Sequence, residues 1–328
     1  MLKFLSLVIL LIVIAAGYLA YDVHQYVNNP VSQENETIDV TIERGATFTS
    51  ASDQLNQAGL ITKPLYFKLL AKIEEKTQQI RSGEYSFNQQ MTPSEILEDL
   101  VKGKTKQYKL TIVEGKRFSD FLVQLKENQK IAHTISNDEQ IKQVLGISKE
   151  SLEGLFLPET YTFSAGTLDI DILQQSYHLL RDFLDVEWPK RSKDSFVNTP
   201  YEALILASIV EKETSVPEER ARIAGVFISR LKINMPLQTD PTVIYGIEDF
   251  DGNITRMHLE TDTPYNTYTR RGLPPSPICL VGKESIMAVL HPEITEDLFF
   301  VSKKDGTHYF SKTYEEHAKA VRKYQLGQ

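Results

Sequence analysis

The chain has a single cysteine, Cys279, so no internal disulfide can form and no cysteine cluster can hold a metal. A lone cysteine of this kind is expected to sit in the core as a small hydrophobe. Its seven histidines (His24, His133, His178, His258, His291, His308 and His317) show no H-E-x-x-H or comparable pairing. No metal and no cofactor is therefore expected. Positive charge is also in deficit: 36 Lys and Arg against 44 Asp and Glu leave a net charge of −8 and a pI near 5.5. That balance argues against a nucleic-acid partner, which normally demands a basic face. Tryptophan is nearly missing, with Trp188 alone among many Tyr and Phe.

A long hydrophobic run occurs at the N-terminus. Phe4 to Tyr21 contains one strongly polar residue, Ser6, with Lys3 in front and Asp22 behind. As a helix this stretch reaches roughly 27 Å, close to the ~30 Å hydrocarbon core of a bilayer. A signal-peptide hydrophobic region is shorter, about 7–15 residues. Small residues at Ala15, Ala16 and Ala20 suggest cleavage, but Tyr18 and Leu19 make a poor site. The stretch is read as an uncleaved anchor, residues 1–21, which puts residues 22–328 outside the cytoplasm. Only Lys3 and the amino terminus mark the cytoplasmic side. Residues 22–37, polar and carrying Asn28, Asn29 and Pro30, read as a linker.

From Ile38 the pattern becomes strand-like, with Ile38, Val40 and Ile42 alternating with polar residues. Thr49 to Ala58 reads as a helix, and Thr92-Pro93-Ser94-Glu95 opens another that ends near Gly103. An echo appears at a spacing of 70: Thr41-Ile42, Gly45, Phe48, Gln54-Leu55 and Ile61 recur as Thr111-Ile112, Gly115, Phe118, Gln124-Leu125 and Ile131. This suggests two related αβ units, 38–105 and about 106–180. Further on, Ser215-Val216-Pro217-Glu218 reads as a capping box for a helix to about Leu231, and Asp240 with Pro241 as the cap of a short one. Thr263 to Pro277 is too rich in proline for helix or strand. Leu298–Ser302 and Thr307–Phe310 make a hairpin around a KKDG turn, and Thr313 to Tyr324 a closing helix.

The central stretch is Thr199 to Thr214, TPYEALILASIVEKET. Thr199 is a good N-cap, Pro200 suits the first helical position, and Glu202 completes a T-x-x-E box. Ala203 to Val210 is apolar except for Ser208, the pattern of a helix buried on all sides. It runs straight into Glu211-Lys212-Glu213, which is either a surfacing helix end or an acid placed in a dry cleft. Glu211 and Glu213 are two positions apart, so they point about 200° away from each other and cannot form one paired site. Glu211, beside Leu204, Ala207 and Ser208, has room above it for a ligand, and apolar surroundings would raise its pKa toward that of a general acid. Glu213 suits a structural role, accepting backbone hydrogen bonds from the following loop. Gln238 and Asp240 could bond sugar hydroxyls, or hold their loop and cap its helix. Tyr265, Asn266 and Tyr268 form an aromatic–amide patch suited to saccharide rings, or a turn packed on the core. Glu153, with Gly154 and the run Pro158, Glu159, Thr160 and Tyr161, forms a second polar–aromatic cluster.

The blocks ALILASIVEKET, VFISRL, MPLQTDPTVIYG, YNTY-x4-GLPPSPI and HYFSKTYEEH, with EGLFLPETYTF at 153–163, resemble the endolytic murein transglycosylase (YceG-like) family. The resemblance covers nearly everything after the anchor. It implies that Glu211, the first Glu of the EKET block, is catalytic; the residues themselves offer Gln238, Asp240, Tyr265, Asn266, Tyr268 and Glu153 as candidate substrate contacts. The implied substrate is nascent peptidoglycan glycan, cut internally at the MurNAc-β-1,4-GlcNAc bond with a 1,6-anhydro end, which would terminate strand elongation. It also implies a LysM-like subdomain over about 38–105, membrane peptidoglycan synthases as partners, and the bacterial inner membrane as location, with the catalytic part on its extracytoplasmic face. The expected fold is α+β: a single-pass membrane helix, a small LysM-like αβ subdomain, and a larger α+β catalytic domain over 106–328. A muramidase-type hydrolase and a non-catalytic cell-wall-binding scaffold are the alternatives.

Overall fold

In the computed structural model the apolar N-terminal run is one helix, α1 (Leu2–Asn28), and the structure describes residues 2–327. Met1 and Gln328, the outer ends of the expected anchor and catalytic domain, lie outside the described residues. Phe4–Asn28 is long and apolar enough to cross a membrane, and the side chains of its first half stand bare. Residues 22–28, expected in the linker, are instead helical. The reason is packing: Val27 is buried in a soluble core with Val23 and Tyr26 against it, and Asp22 accepts hydrogen bonds from Lys63 Nζ (2.9 Å) and Tyr66 Oη (2.8 Å).

The chain divides into two compact units, one comprising residues up to Tyr108 with Thr162–Thr167, the other Lys109–Tyr161 with residues from Leu168 on. After α1 the first unit holds β1 (Thr37–Ile42), α2 (Phe48–Gln57), α3 (Pro64–Ile73), β2 (Gly83–Asn88) and α4 (Pro93–Lys102). β1 and β2 pair antiparallel with Thr37 opposite Asn88 and Ile42 opposite Gly83. Alternation places Val40, Ile42, Tyr85 and Phe87 on one face, where α2, α3 and α4 cover them with Leu55, Phe67 and Ile96. α4 opens on a complete capping box, Thr92 with Glu95, and stops at Gly103 in the left-handed conformation.

The order strand, helix, helix, strand, helix then recurs. Its main members are β3 (Gln107–Thr111), α5 (Phe118–Glu127), α6 (Asp138–Leu145), β5 (Thr160–Ser164) and α7 (Asp169–Glu187), with the short strands β4 (Ile131–Ala132) and β6 (Thr167–Leu168) between them. β3 pairs with β5 and β4 with β6. There follow α8 (Pro200–Glu213), α9 (Pro217–Lys232), α10 (Asp240–Tyr245), α11 (Arg256–Glu260), α12 (Lys283–Leu290), the antiparallel hairpin β7 (Phe299–Ser302) and β8 (His308–Ser311), and α13 (Tyr314–Val321). The architecture is mixed α+β with a long apolar N-terminal helix.

α8 is the centre of the second unit. All eight residues from Ala203 to Val210 are buried, and α9 and α12 pack against it. Thr199 caps it by accepting from Glu202 N (3.1 Å), but the expected box is only half made. The Glu202 carboxylate accepts from Asn198 N (2.8 Å) instead of from Thr199. At α9 the expected Ser215 cap is absent. Pro217 takes the first helical position, which moves the N-cap to Val216, whose own N–H is held by Thr214 Oγ1 at 3.0 Å. Asp240 is likewise inside α10 as its first residue, with Thr239 at the N-cap.

Candidate functional site

Ser208 provides the one polar group within the buried run of α8. Its Oγ donates to Ile205 O (2.7 Å) and accepts from Ile278 N (3.0 Å), so the segment 278–282 is drawn along the helix. Cys279 lies fully buried there, its Sγ 3.5 Å from Ser208 O. One turn further on, Gly282 N–H donates to Glu211 Oε2 at 3.2 Å. The other edge of the segment is also occupied: Leu280 N donates to Lys116 O (2.8 Å) and Gly115 N to Leu280 O (2.9 Å). Two backbone bonds thus fix the loop between β3 and α5 over the end of α8. Lys212 Nζ adds a bond to Gly115 O at 3.3 Å.

The result is an open groove of about 620 Å³ between that loop and the α8–α9 junction, with Glu211, Glu213, Glu114 and Arg220 on its walls. Glu211 is half-buried and faces it. The surroundings expected to be apolar are polar, because the segment crossing the helix end presents backbone and the loop presents Glu114 and Lys116. Glu114 went unnoticed in the sequence; its neighbour Gly115 stands out there only as a member of the echo.

Glu213 leaves the opposite side of α8, as the helical spacing requires. Its carboxylate accepts from the Thr239 hydroxyl, a side chain rather than the backbone donors expected of it. Burial pushes its pKa up, and the Thr239 bond opposes this. Glu213 also lines a second recess of about 670 Å³ that holds Gln238, Asp240 and Tyr268. Gln238 is exposed with φ +49°, a left-handed backbone uncommon for a non-glycine residue. Tyr268 Oη donates to Asp240 Oδ1 at 2.6 Å.

Three other candidates are turned to structural work. Asn266 is fully buried, and its Nδ2 donates to the carbonyls of His258 (3.2 Å), Leu259 (3.0 Å) and Thr261 (2.7 Å) while Oδ1 accepts from Tyr268 N (2.9 Å). Every amide atom is engaged, so it clasps its own loop and has nothing left for a ligand. Tyr265 packs edge-on to Tyr245 at 4.8 Å and bonds Ser276 Oγ at 2.7 Å. Glu153 is buried, accepting from Phe118 N (2.9 Å) at the first turn of α5 and from Tyr245 Oη (3.3 Å). A carboxylate at a helix start satisfies an N–H that the helix itself cannot.

Burial pushes the Glu153 pKa up to about 7, against the hydrogen bonds that lower it. The folded state therefore holds this proton more tightly than the unfolded chain does. Its stabilising effect is full below the ordinary carboxylate range and is lost as pH rises to about 7. Glu153→Gln keeps an acceptor for Phe118 N and has no charge to bury. It should match the wild type at pH 5 and exceed it at pH 8 by up to about 3 kcal/mol, at ~1.4 kcal/mol per pKa unit. Urea midpoints read from Trp188, which lies in the same unit, check this. Parallel wild-type and variant curves across that range would rule it out.

Comparison with known proteins finds relatives over most of the chain. An endolytic murein transglycosylase of Bacillus subtilis is 29% identical over 320 residues, covering 90% of this chain and 87% of the relative. One from Streptococcus pneumoniae is 26% identical over 356 residues, and the match takes in 63% of that longer protein. A crystal structure of a yceG-like protein from Listeria monocytogenes is 30% identical, covers 88% of this chain and all of its own, and superposes with a TM-score of 0.50. The YceG-like family model matches residues 40–323, and the chain accordingly belongs to the YceG-like family.

Proposed function

We propose that this protein is an endolytic murein transglycosylase in which Glu211 is the acid–base residue and the groove beside it holds a peptidoglycan glycan strand. The observation that carries the proposal is the setting of Glu211. A carboxylate directly after the buried run of α8 opens onto a groove and is oriented there by Gly282 N–H. Its relatives' names supply the substrate class.

In the proposed reaction Glu211 gives its proton to the glycosidic oxygen as the MurNAc C1–O bond breaks. The resulting carboxylate takes the proton of the MurNAc C6 hydroxyl, whose oxygen closes onto C1 to leave a 1,6-anhydro end. The nucleophile belongs to the substrate, so one acid suffices. A retaining hydrolase would need a second carboxylate at about 5–5.5 Å acting as nucleophile, and an inverting one at about 6.5–9.5 Å activating water. Beyond Glu213, the recess with Gln238, Asp240 and Tyr268 offers hydroxyl-bonding groups and an aromatic face to further sugars of the strand.

α1 would tether the enzyme to the membrane with the second unit on the extracytoplasmic side, where nascent glycan is made. There the first unit would serve as the LysM-like module and the membrane peptidoglycan synthases as partners. Mass spectrometry of digested peptidoglycan tests the proposal. Anhydro ends from internal cuts are expected; reducing ends would mean a muramidase, and an undigested substrate a binding scaffold.

A further inference from the structure

The loop between β3 and α5 brings a second carboxyl to the same wall as Glu211, and both meet at one glycine. Gly282 N–H bonds Glu211, while a Cβ on Gly282 would stand 2.1 Å from Glu114 Oε1 and 2.7 Å from Oε2. Two heavy atoms cannot approach so closely, so Glu114 occupies the space a side chain at position 282 would need. On the other flank, a Cβ on Gly115 would come within 3.9 Å of Glu211 Cγ. The backbone bonds between 115–116 and Leu280 hold this arrangement in register. We propose that Glu114 is a positioning residue for the cleavage proposed above. Its carboxyl stands at the same Gly282 backbone as that of Glu211, and their like charges disfavour both ionising together, so that the pair, and not Glu211 alone, keeps an acid ready in the groove. The proposal rests on the transglycosylase role of Glu211.

The charges around Glu114 support it. Burial and the negative charge of Glu211 raise the Glu114 pKa, with Glu284 at the start of α12 and Glu159 ahead of β5 acting the same way. Arg220 on α9 opposes them, but its guanidinium is paired with Glu284, which weakens its pull. Lys116 shares the loop and lines the groove, and the Lys212 ammonium is turned to Gly115 O. Two neighbouring carboxyls of this kind lose their protons in two steps that belong to the pair, and the second is delayed by the first charge. A glycan lying in the groove displaces water from both and strengthens the coupling. The proton leaving with the glycosidic oxygen is replaced by the one taken from the C6 hydroxyl, so Glu114 ends the cycle as it began.

The pH profile of kcat/KM on isolated glycan strands, for the full chain in detergent, decides it. In Glu114→Gln the like charge is gone and the last proton leaves at lower pH. The basic limb should move by about one unit toward acid, making the variant about tenfold slower at pH 8 and nearly normal at pH 5. Glu114→Asp, keeping the charge, should restore part of the limb, and KM should change little. The position of the limb does not depend on how much of the variant is folded. A limb at the wild-type position, whatever the rate, overturns the coupling and leaves Glu211 as the acid. Cleavage by Glu211→Gln overturns the transglycosylase role and the pair together.

Discussion

Glu211→Gln is expected to abolish anhydro-end formation, lowering kcat/KM by about 10²–10⁴-fold, the usual scale of positioned acid–base catalysis. The substitution is chosen because it changes little else. A glutamine Oε1 can still accept the Gly282 N–H that orients Glu211 at 3.2 Å, and the groove keeps its volume. What disappears is the exchangeable proton. Affinity for the strand should therefore survive, and KM should move far less than kcat. Unfolding midpoints should also hold, since the buried part of α8 ends at Val210 and Glu211 is half-exposed beyond it. Release of anhydro-muropeptides at the wild-type rate would remove Glu211 from the chemistry. A loss of rate accompanied by an equal loss of folded protein would show damage to α8 instead.

The path to Glu211 was legible because it depends on local rules. The apolar run 203–210, the Thr199 cap and the ~100° helical step together turn two acids to different sides of the helix end, and in the structure both border the first groove while Glu213 alone reaches the second recess. What was hidden is what comes from far along the chain. Gly282 reaches Glu211 through a segment held by Ser208, and Glu114 through a loop bonded to that segment, and neither has a periodicity that would reveal it. The aromatic–amide patch misled for a related reason. Composition cannot distinguish an asparagine that meets a sugar from one whose amide closes three carbonyls of its own loop, as Asn266 does. The cap expectations at Ser215 and Asp240 failed by one residue: Pro217 set the first position of α9 and left Val216 as its cap, while α10 began one residue early, on Asp240. The seven helical residues 22–28 were missed because the partners of Asp22, Lys63 and Tyr66, lie far away in sequence.

Arg230→Met is expected to be the most damaging single change to the fold around the second recess. Arg230 is buried, and it ties α9 to two separate segments: Nε donates to Leu298 O at 2.6 Å, and Nη1 to Leu237 O at 2.5 Å. Its guanidinium also lies over the Phe299 ring at 5.3 Å. Methionine replaces most of the apolar stem, and removing a buried charge returns its desolvation cost. Against that, two enclosed carbonyls lose their donors at about 1–3 kcal/mol each, and these losses should win. The net cost is put at about 2–4 kcal/mol, seen as a lower urea midpoint with unchanged slope when Trp188 reports the unit. Glu213 adds a pH signature. Arg230 holds the Glu213 pKa down against burial, so without it the folded state grips that proton harder. The loss of stability with rising pH then runs on to higher pH than in the wild type, so the deficit should be larger on the alkaline side than on the acid side. Arg230→Lys keeps the charge but cannot reach both carbonyls, so it should lie between the two and show less of the widening. A deficit below about 1 kcal/mol, or one equal on both sides, would mean that the loops at 237 and 298 are held by packing rather than by this guanidinium.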